Sequence, residues 1–146
     1  MENKSTTHDP VNHPSHYCDH RSGVECIEVA GKMSFTLGNA FKYLYRCSGK
    51  GAPLQDLKKA AFYLEYELNK RRKLWFQFQT DDYVPAVDGD IHIKKILAEE
   101  FRYYGWMQST LSFVYKANRY KRSVKSVEFA LFGVWQMIRT YETDNI

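Results

Sequence analysis

Residues 53–73, PLQDLKKAAFYLEYELNKRRK, decide the fold class of this 146-residue chain. Their apolar residues recur at the spacing that places them along one side of an α-helix, and Pro53 suits the first helical turn. Polar side chains gather on the opposite side. The stretch therefore predicts a long amphipathic helix with an apolar stripe of Leu54, Leu57, Ala61, Leu64 and Leu68 and a polar face of Asp56, Lys59, Tyr63 and Lys70.

The same helical period recurs on both sides of this stretch, so the sequence predicts an all-α bundle of about six helices. Residues 1–22 are polar and contain Pro10 and Pro14, which predicts an extended N-terminal arm. Asp90 is expected to cap the fourth helix. The expected helices cover about residues 23–32, 36–47, 53–73, 90–104, 106–118 and 123–141. The expected parts are an arm (1–22), a helical domain (23–73), a connector (74–89) and a second helical half that packs on the first (90–146).

A shift of 70 residues brings the two halves into register, which suggests two degenerate helical hairpins. Any two amphipathic helices can be aligned in this way, so a simple likeness of pattern is the alternative. The polar positions of the first half become small or apolar in the second. The stripe of residues 54–68 matches Val124, Val127, Leu131, Val134 and Ile138, while Asn39, Lys42, Asp56 and Lys59 match Ser109, Ser112, Ser126 and Phe129.

Composition limits the class of protein. The hydrophobic fraction is 44%, enough for a sizeable core, and the net charge is +4. Residues 1–73 carry 12 Lys and Arg against 8 Asp and Glu, whereas residues 74–146 carry 9 of each. The three cysteines have no Cys-x-x-Cys spacing, and no apolar run is long enough to cross a bilayer. These features predict a cytoplasmic protein with reduced thiols that does not enter a membrane.

The helix expected over residues 36–47 carries a cationic face. Asn39, Lys42, Tyr43 and Arg46 fall within about 100° of arc, opposite an apolar side. Lys42 and Arg46 repel each other at this spacing, which favours a shared anionic ligand over a solvated helix face. The sequence therefore predicts a phosphate site, with Lys42, Arg46 and Asp56 as the candidate catalytic residues.

Further candidates surround this face. Lys50, Lys59 and Tyr63 are candidate phosphate or substrate ligands, although Ser48-Gly49-Lys50-Gly51 is too short for a P-loop. Asp56 has capping of its own helix as an alternative role.

The arm and the first helix add two predictions. His16 and Tyr17 are expected to close over a nucleotide, or else to fasten the arm to a neighbouring helix or subunit. Glu25 and Glu28 lie three residues apart and are candidate magnesium ligands with Asp56, or else surface carboxylates and ion-pair partners. The spacing of His13, His16, Cys18 and His20 matches no structural zinc pattern.

Five motifs in this order resemble a small bacteriophage domain family typified by the nucleotide kinase of T7-like phages. The resemblance covers about residues 11–73 and would make 23–73 a nucleotide-kinase-like domain. It implies conversion of deoxynucleoside monophosphates to diphosphates without a P-loop, with ATP or another phosphate donor and possible use of Mg²⁺. The motifs are NHPSHY at 12–17, Glu25 with Glu28, GNAFKYLYR at 38–46, GKG at 49–51 and DLKKAAFYL at 56–64.

Two other classes of function remain open. The same pocket would serve a protein that sequesters a nucleotide or nucleotide signal without turnover. An interaction protein would instead use the second half, where a basic cluster could contact a host protein or, less expectedly, nucleic acid. The aromatic content also predicts a homo-oligomer. The basic cluster is Lys116, Arg119, Lys121, Arg122 and Lys125.

Overall fold

The computed structural model describes residues 9–47, 51–75 and 90–144. Helices account for most of these residues and the described part contains no strand, so the predicted all-α class is confirmed. A 3₁₀ turn at Arg102–Gly105 precedes the sixth helix. The helices are α1 (Ser15–Cys18), α2 (Cys26–Ala30), α3 (Phe35–Arg46), α4 (Pro53–Trp75), α5 (Ile91–Ala98), α6 (Trp106–Arg119) and α7 (Val124–Asp144).

Two helical hairpins form the body of the protein. Helix α3 packs on α4, α6 packs on α7, and the long helices α4 and α7 pack against each other. Each helix of the second hairpin begins 71 residues after its counterpart in the first, close to the shift found in the sequence. Helices α1 and α2 lie against α3, while α5 contacts α2 and α6. This arrangement leaves the polar side of α3 beside the arm.

The predicted apolar stripes form the core. Leu57, Ala61, Leu64 and Leu68 are buried, whereas Leu54 at the start of α4 is only partly buried. Burial of these side chains is the main favourable term in folding. The α3 and α7 residues that complete the core include Leu37, Ala40, Phe41, Leu44, Val124, Val127, Val134 and Ile138.

A buried arginine links α4 to the α6–α7 turn, and its role was not predicted from the sequence. Arg71 donates to Glu67 Oε1 at 2.9 Å and to three backbone oxygens, at Ala117, Tyr120 and Ser123. It therefore satisfies carbonyls at the C-terminal end of α6, which have no partner within that helix. The contact joins the two hairpins through one side chain.

The fourth expected helix is shorter than predicted. Asp90 caps it as predicted, since its Oδ1 accepts the backbone N–H of His92 at 2.9 Å. Helix α5 nevertheless ends at Ala98 and not near residue 104. Tyr103 and Tyr104 have positive φ angles of 54°, which are incompatible with a right-handed helix. Buried Glu100 lies just before them, paired with Arg102.

The described part of the arm, residues 9–22, is folded and includes α1. The Asp9 carboxylate accepts from the backbone N–H groups of Val11 and Asn12, which closes a turn before Pro14. The prediction of an extended arm is therefore wrong for these residues, because local side-chain hydrogen bonds offer the backbone an alternative. Most of the expected connector, residues 76–89, lies outside the described residues.

Aromatic side chains remain on the surface of α7. Phe129, Phe132 and Trp135 are each about half exposed. Phe129 stacks on Phe113 and Phe132 meets Trp106 edge to face, so this surface is an ordered aromatic patch. Within the described residues, no helix has the length and apolar character needed to cross a membrane.

Candidate functional site

Three cations converge on the ring of Tyr43. Lys42 Nζ lies 4.4 Å from the ring centroid, Arg46 Cζ 5.0 Å and Lys59 Nζ 5.2 Å. These distances are those of cation–π contacts. We call Tyr43, Lys42, Arg46 and Lys59 the Tyr43 cluster.

The cluster follows from helix periodicity and from the packing of α3 on α4. Lys42 and Arg46 are one turn apart on α3, and Tyr43 lies between them on the same side. The opposite side of α3 is buried, so Lys42, Tyr43 and Arg46 lie on its polar side, where the Arg46 side chain is 11% exposed. Lys59 comes from the polar face of α4, which the antiparallel hairpin places next to α3.

Arg46 is held in place from two directions. Its Nε and Nη2 donate to the two Asp56 oxygens, each at 3.1 Å, and its Nη1 donates to the Tyr17 hydroxyl at 2.8 Å. Burial alone would lower the pKa of Arg46, but the hydrogen bonds that it donates to Asp56 and Tyr17 raise it overall. The Asp56 side chain is only 2% exposed, so this fork fixes the guanidinium plane. Asp56 thus pairs with Arg46.

The charge at this site is not balanced. The Tyr43 cluster carries three positive charges, and Asp56 is the carboxylate bonded to it. The three distances to one centroid mean that no two cationic centres are more than about 10 Å apart, which is close to one screening length at physiological salt. Such a site favours an anion with at least two negative charges.

Polar and aromatic neighbours complete the surface. Lys42 Nζ donates to Asn39 Oδ1 at 3.0 Å, and Asn39 Nδ2 donates to the backbone oxygen of Phe35 at 2.8 Å. Tyr63 stacks on Tyr43 with centroids 6.0 Å apart and an interplanar angle of 15°. The predicted residues Asn39, Tyr43, Lys59 and Tyr63 therefore lie together with Lys42.

A cavity of about 530 Å³ adjoins the cluster, between the arm, α2 and α3. Tyr17, Asn39 and Lys42 line it, so the cavity shares side chains with the cationic site. Its volume lies within the range of small-molecule pockets. The apolar part of its lining comes from Ile27, Ala30, Met33 and Phe35.

His16 and Tyr17 point to different places. Tyr17 bonds Arg46 and lines the cavity next to the cluster. His16 contacts the Tyr17 ring at 4.1 Å between centroids but lines another cavity, of about 470 Å³, with His20. The structure therefore brings Tyr17, and not His16, to the Tyr43 cluster. Lys50 lies outside the described residues.

Glu25 and Glu28 form a capping box at the start of α2. Each side chain accepts the backbone N–H of the other residue, which satisfies two amides at the helix N-terminus. Among the described residues, these two carboxylates and Asp56 do not form a group within 4.8 Å. Their predicted role as magnesium ligands stays a prediction.

A different group of ligand-type side chains lies at the arm. One ligand atom each from His13, Cys18 and Glu25 falls within 4.8 Å of the others. His13 Nδ1 is 2.8 Å from Glu25 Oε1. The sequence places His13 and Cys18 among the other arm residues, and no spacing in it indicates that Glu25 joins them. His20 instead bonds Glu100 Oε2 at 3.0 Å.

Residues 11–65 match the model of a family described as a protein of unknown function (DUF3310). The match covers the arm from Val11, helices α2 and α3, and α4 as far as Glu65, so it contains the whole Tyr43 cluster. No curated protein and no solved structure matches the chain.

Proposed function

We propose that this protein binds the phosphate of a nucleotide at the Tyr43 cluster and phosphorylates deoxynucleoside monophosphates to diphosphates without a P-loop. In this reaction a phosphate oxygen of the monophosphate attacks the terminal phosphorus of ATP or another donor, and the bond to the leaving diphosphate breaks. Mg²⁺ is a candidate cofactor. The resemblance to the phage nucleotide kinase family suggests the reaction, and the cationic cluster supports the binding step.

The observation that carries the proposal is the convergence of three cations with a single bonded carboxylate. Phosphoryl transfer depends mainly on positioning and on neutralising negative charge. Arg46 is fixed by its hydrogen bonds to Asp56 and Tyr17, whereas Lys42 donates to the neutral Asn39 side chain. We assign phosphate binding to these three cations and the positioning of Arg46 to Asp56.

The neighbouring cavity suggests where a base would lie. Lys42 and Asn39 belong both to its lining and to the cationic face. A nucleotide with its phosphate beside Lys42 would therefore extend into the cavity, where Met33 and Phe35 supply apolar contacts. Asn39 and Tyr17 offer polar groups for the sugar or base.

A non-catalytic nucleotide-binding or sequestering protein is the second candidate. The observation in its favour is that Asp56, the carboxylate bonded to the Tyr43 cluster, is already paired with Arg46. Kinases usually hold their metal through carboxylates. Binding without turnover would need only the cations.

An interaction protein is the third candidate, and its residues lie elsewhere. Arg119 and Lys121 are exposed at the α6–α7 turn, and the aromatic patch on α7 is the surface for a homo-oligomer or a host protein. This function would not require Lys42 or Lys59.

The test is to incubate the protein with each deoxynucleoside monophosphate and ATP, with and without Mg²⁺, and to separate the products by chromatography. Diphosphate formation that is lost in Lys42→Ala and Lys59→Ala would support the kinase. Lys58→Ala is the matched control, because Lys58 is exposed on the same helix as Lys59 and its replacement removes the same charge.

Thermal melting separates the other candidates. Sequestration is favoured if the nucleotides are not converted but still raise the melting temperature of the wild type and of Lys58→Ala. The melting temperature of Lys59→Ala should then stay unchanged. If the protein forms no product and shows no thermal shift, nucleotide binding is contradicted and the interaction function remains. Size-exclusion chromatography with light scattering, on the wild type and on Trp135→Ser, tests the proposed homo-oligomer.

A further inference from the structure

We infer that His13, Cys18 and Glu25 form a binding site for one transition-metal ion, with Zn²⁺ as the expected occupant. This inference does not depend on nucleotide binding: none of the three residues belongs to the Tyr43 cluster, although Cys18 and Glu25 line the cavity beside it. It assigns a function to the arm, which sequence spacing alone did not.

The donor set suits zinc. An imidazole nitrogen, a thiolate and a carboxylate are the three ligand types that Zn²⁺ takes in proteins. The ligand atoms of His13, Cys18 and Glu25 already lie within 4.8 Å of one another. Tetrahedral zinc with ordinary bond lengths needs ligand atoms about 3.3 to 3.6 Å apart, so side-chain shifts on the order of 1 Å close the site.

The contact between His13 and Glu25 shows how a metal ion would enter. Glu25 Oε1 accepts from His13 Nδ1 at 2.8 Å, and the Cys18 sulfur lies within 4.8 Å of the ligand atoms of both residues. A metal ion replaces this hydrogen bond with bonds to all three ligands. The Cys18 thiol proton passes to solvent, and the His13 ring proton moves through solvent from Nδ1 to Nε2. Two negative ligands and a neutral imidazole then balance a divalent cation.

The site is reachable. The His13 side chain is 63% exposed, and Cys18 and Glu25 line the 530 Å³ cavity. Three protein ligands leave a fourth position for water or a ligand atom, as in zinc sites that are not purely structural. The ion would also join α1 to the start of α2 and stabilise the folded arm.

Cobalt is the probe, because a Co²⁺–thiolate bond gives a charge-transfer absorption in the near ultraviolet. The full chain, stripped of metal and carrying no histidine tag, is titrated with Co²⁺, and Zn²⁺ is then added as competitor. The expected result is one Co²⁺ per chain with the charge-transfer band, displaced by one equivalent of Zn²⁺.

Three variants make the test specific. Cys18→Ser should lose the charge-transfer band, and His13→Ala should bind at least about tenfold more weakly. His92→Ala, another partly exposed histidine, should behave as the wild type. Circular dichroism of the metal-stripped variants checks that they are folded. If Cys18→Ser is unfolded, the titrations of the wild type and of His13→Ala test the metal site instead. No band in the wild type, or an unchanged band in folded Cys18→Ser, would overturn the site.

Discussion

Replacing Asp56 by Asn removes the one carboxylate bonded to Arg46 but keeps the shape of the side chain. The pair is buried, with 11% of the Arg46 side chain and 2% of the Asp56 side chain exposed. Removing one partner of a buried pair leaves an uncompensated charge and typically costs 3 to 5 kcal/mol. The Asn oxygen can still accept one hydrogen bond, so we expect a loss of about 3 kcal/mol, or roughly 10 °C in melting temperature.

The same change should strengthen phosphate binding. The substitution raises the net charge of the three cations and residue 56 from +2 to +3. One further unit charge near an exposed anion contributes about 1 kcal/mol, which is about fivefold in affinity. A bound phosphate would replace the missing carboxylate as the anion beside Arg46. Ligand therefore stabilises Asp56→Asn more than it stabilises the wild type.

The assay is thermal melting at increasing thymidine monophosphate, with Glu65→Gln on the exposed side of α4 as the control. Asp56→Asn should melt lower without ligand and show the larger ligand-induced rise, while the control matches the wild type. An unchanged melting temperature would refute the structural role of the pair. A smaller ligand-induced rise than in the wild type would refute the charge argument, because it would mean that the position in which Asp56 holds Arg46 matters more for phosphate binding than the added charge.

Three further predictions concern stability. Arg71→Met should lower the free energy of unfolding by about 3 kcal/mol in urea titrations, because four hydrogen bonds are lost and their buried partners remain. Gly133→Ala should cost about 2 kcal/mol in the same assay, because the added Cβ overlaps Thr110 Oγ1, and Thr110→Ala in the same chain should restore much of it. Burial alone would raise the pKa of Glu100, but hydrogen bonds, chiefly from Arg102, hold it at about 2, below its ordinary value of 4.5. The resulting stability is present above pH 4.5 and is lost as the pH falls toward 2, by about 3 kcal/mol, and Glu100→Gln should abolish this dependence in acid titrations.

Helix existence and helix faces could be predicted from the sequence because both depend on local periodicity. Helices α3 and α4 begin within one residue of their predicted starts, and the cationic face of α3 contains the predicted residues. The end of α5 could not be predicted, since it depends on buried Glu100 and on the left-handed backbone at Tyr103 and Tyr104. Tertiary packing determines where α5 ends, and it competes there with helix propensity.

The site was predictable in its residue types but not in its pairings. Lys42 and Arg46 share a face because they are four residues apart, but the Arg46–Asp56 fork depends on how α3 crosses α4. Likewise, the group of His13, Cys18 and Glu25 exists only because the arm folds back on α2. Contacts between elements that are far apart in the sequence produce no regular spacing from which they could be predicted.

The most direct test of the central claim is isothermal titration of the wild type with thymidine monophosphate and with thymidine, which differ only in the phosphate. Two charge-assisted contacts from Lys42 and Lys59 should make the monophosphate bind at least about tenfold more tightly than the nucleoside. The ratio should fall severalfold in the Lys42→Ala, Lys59→Ala double variant, in which Arg46 is the remaining cation of the Tyr43 cluster. Equal affinities in the wild type, or an unchanged ratio in the double variant, would contradict the assignment of the Tyr43 cluster as a phosphate site.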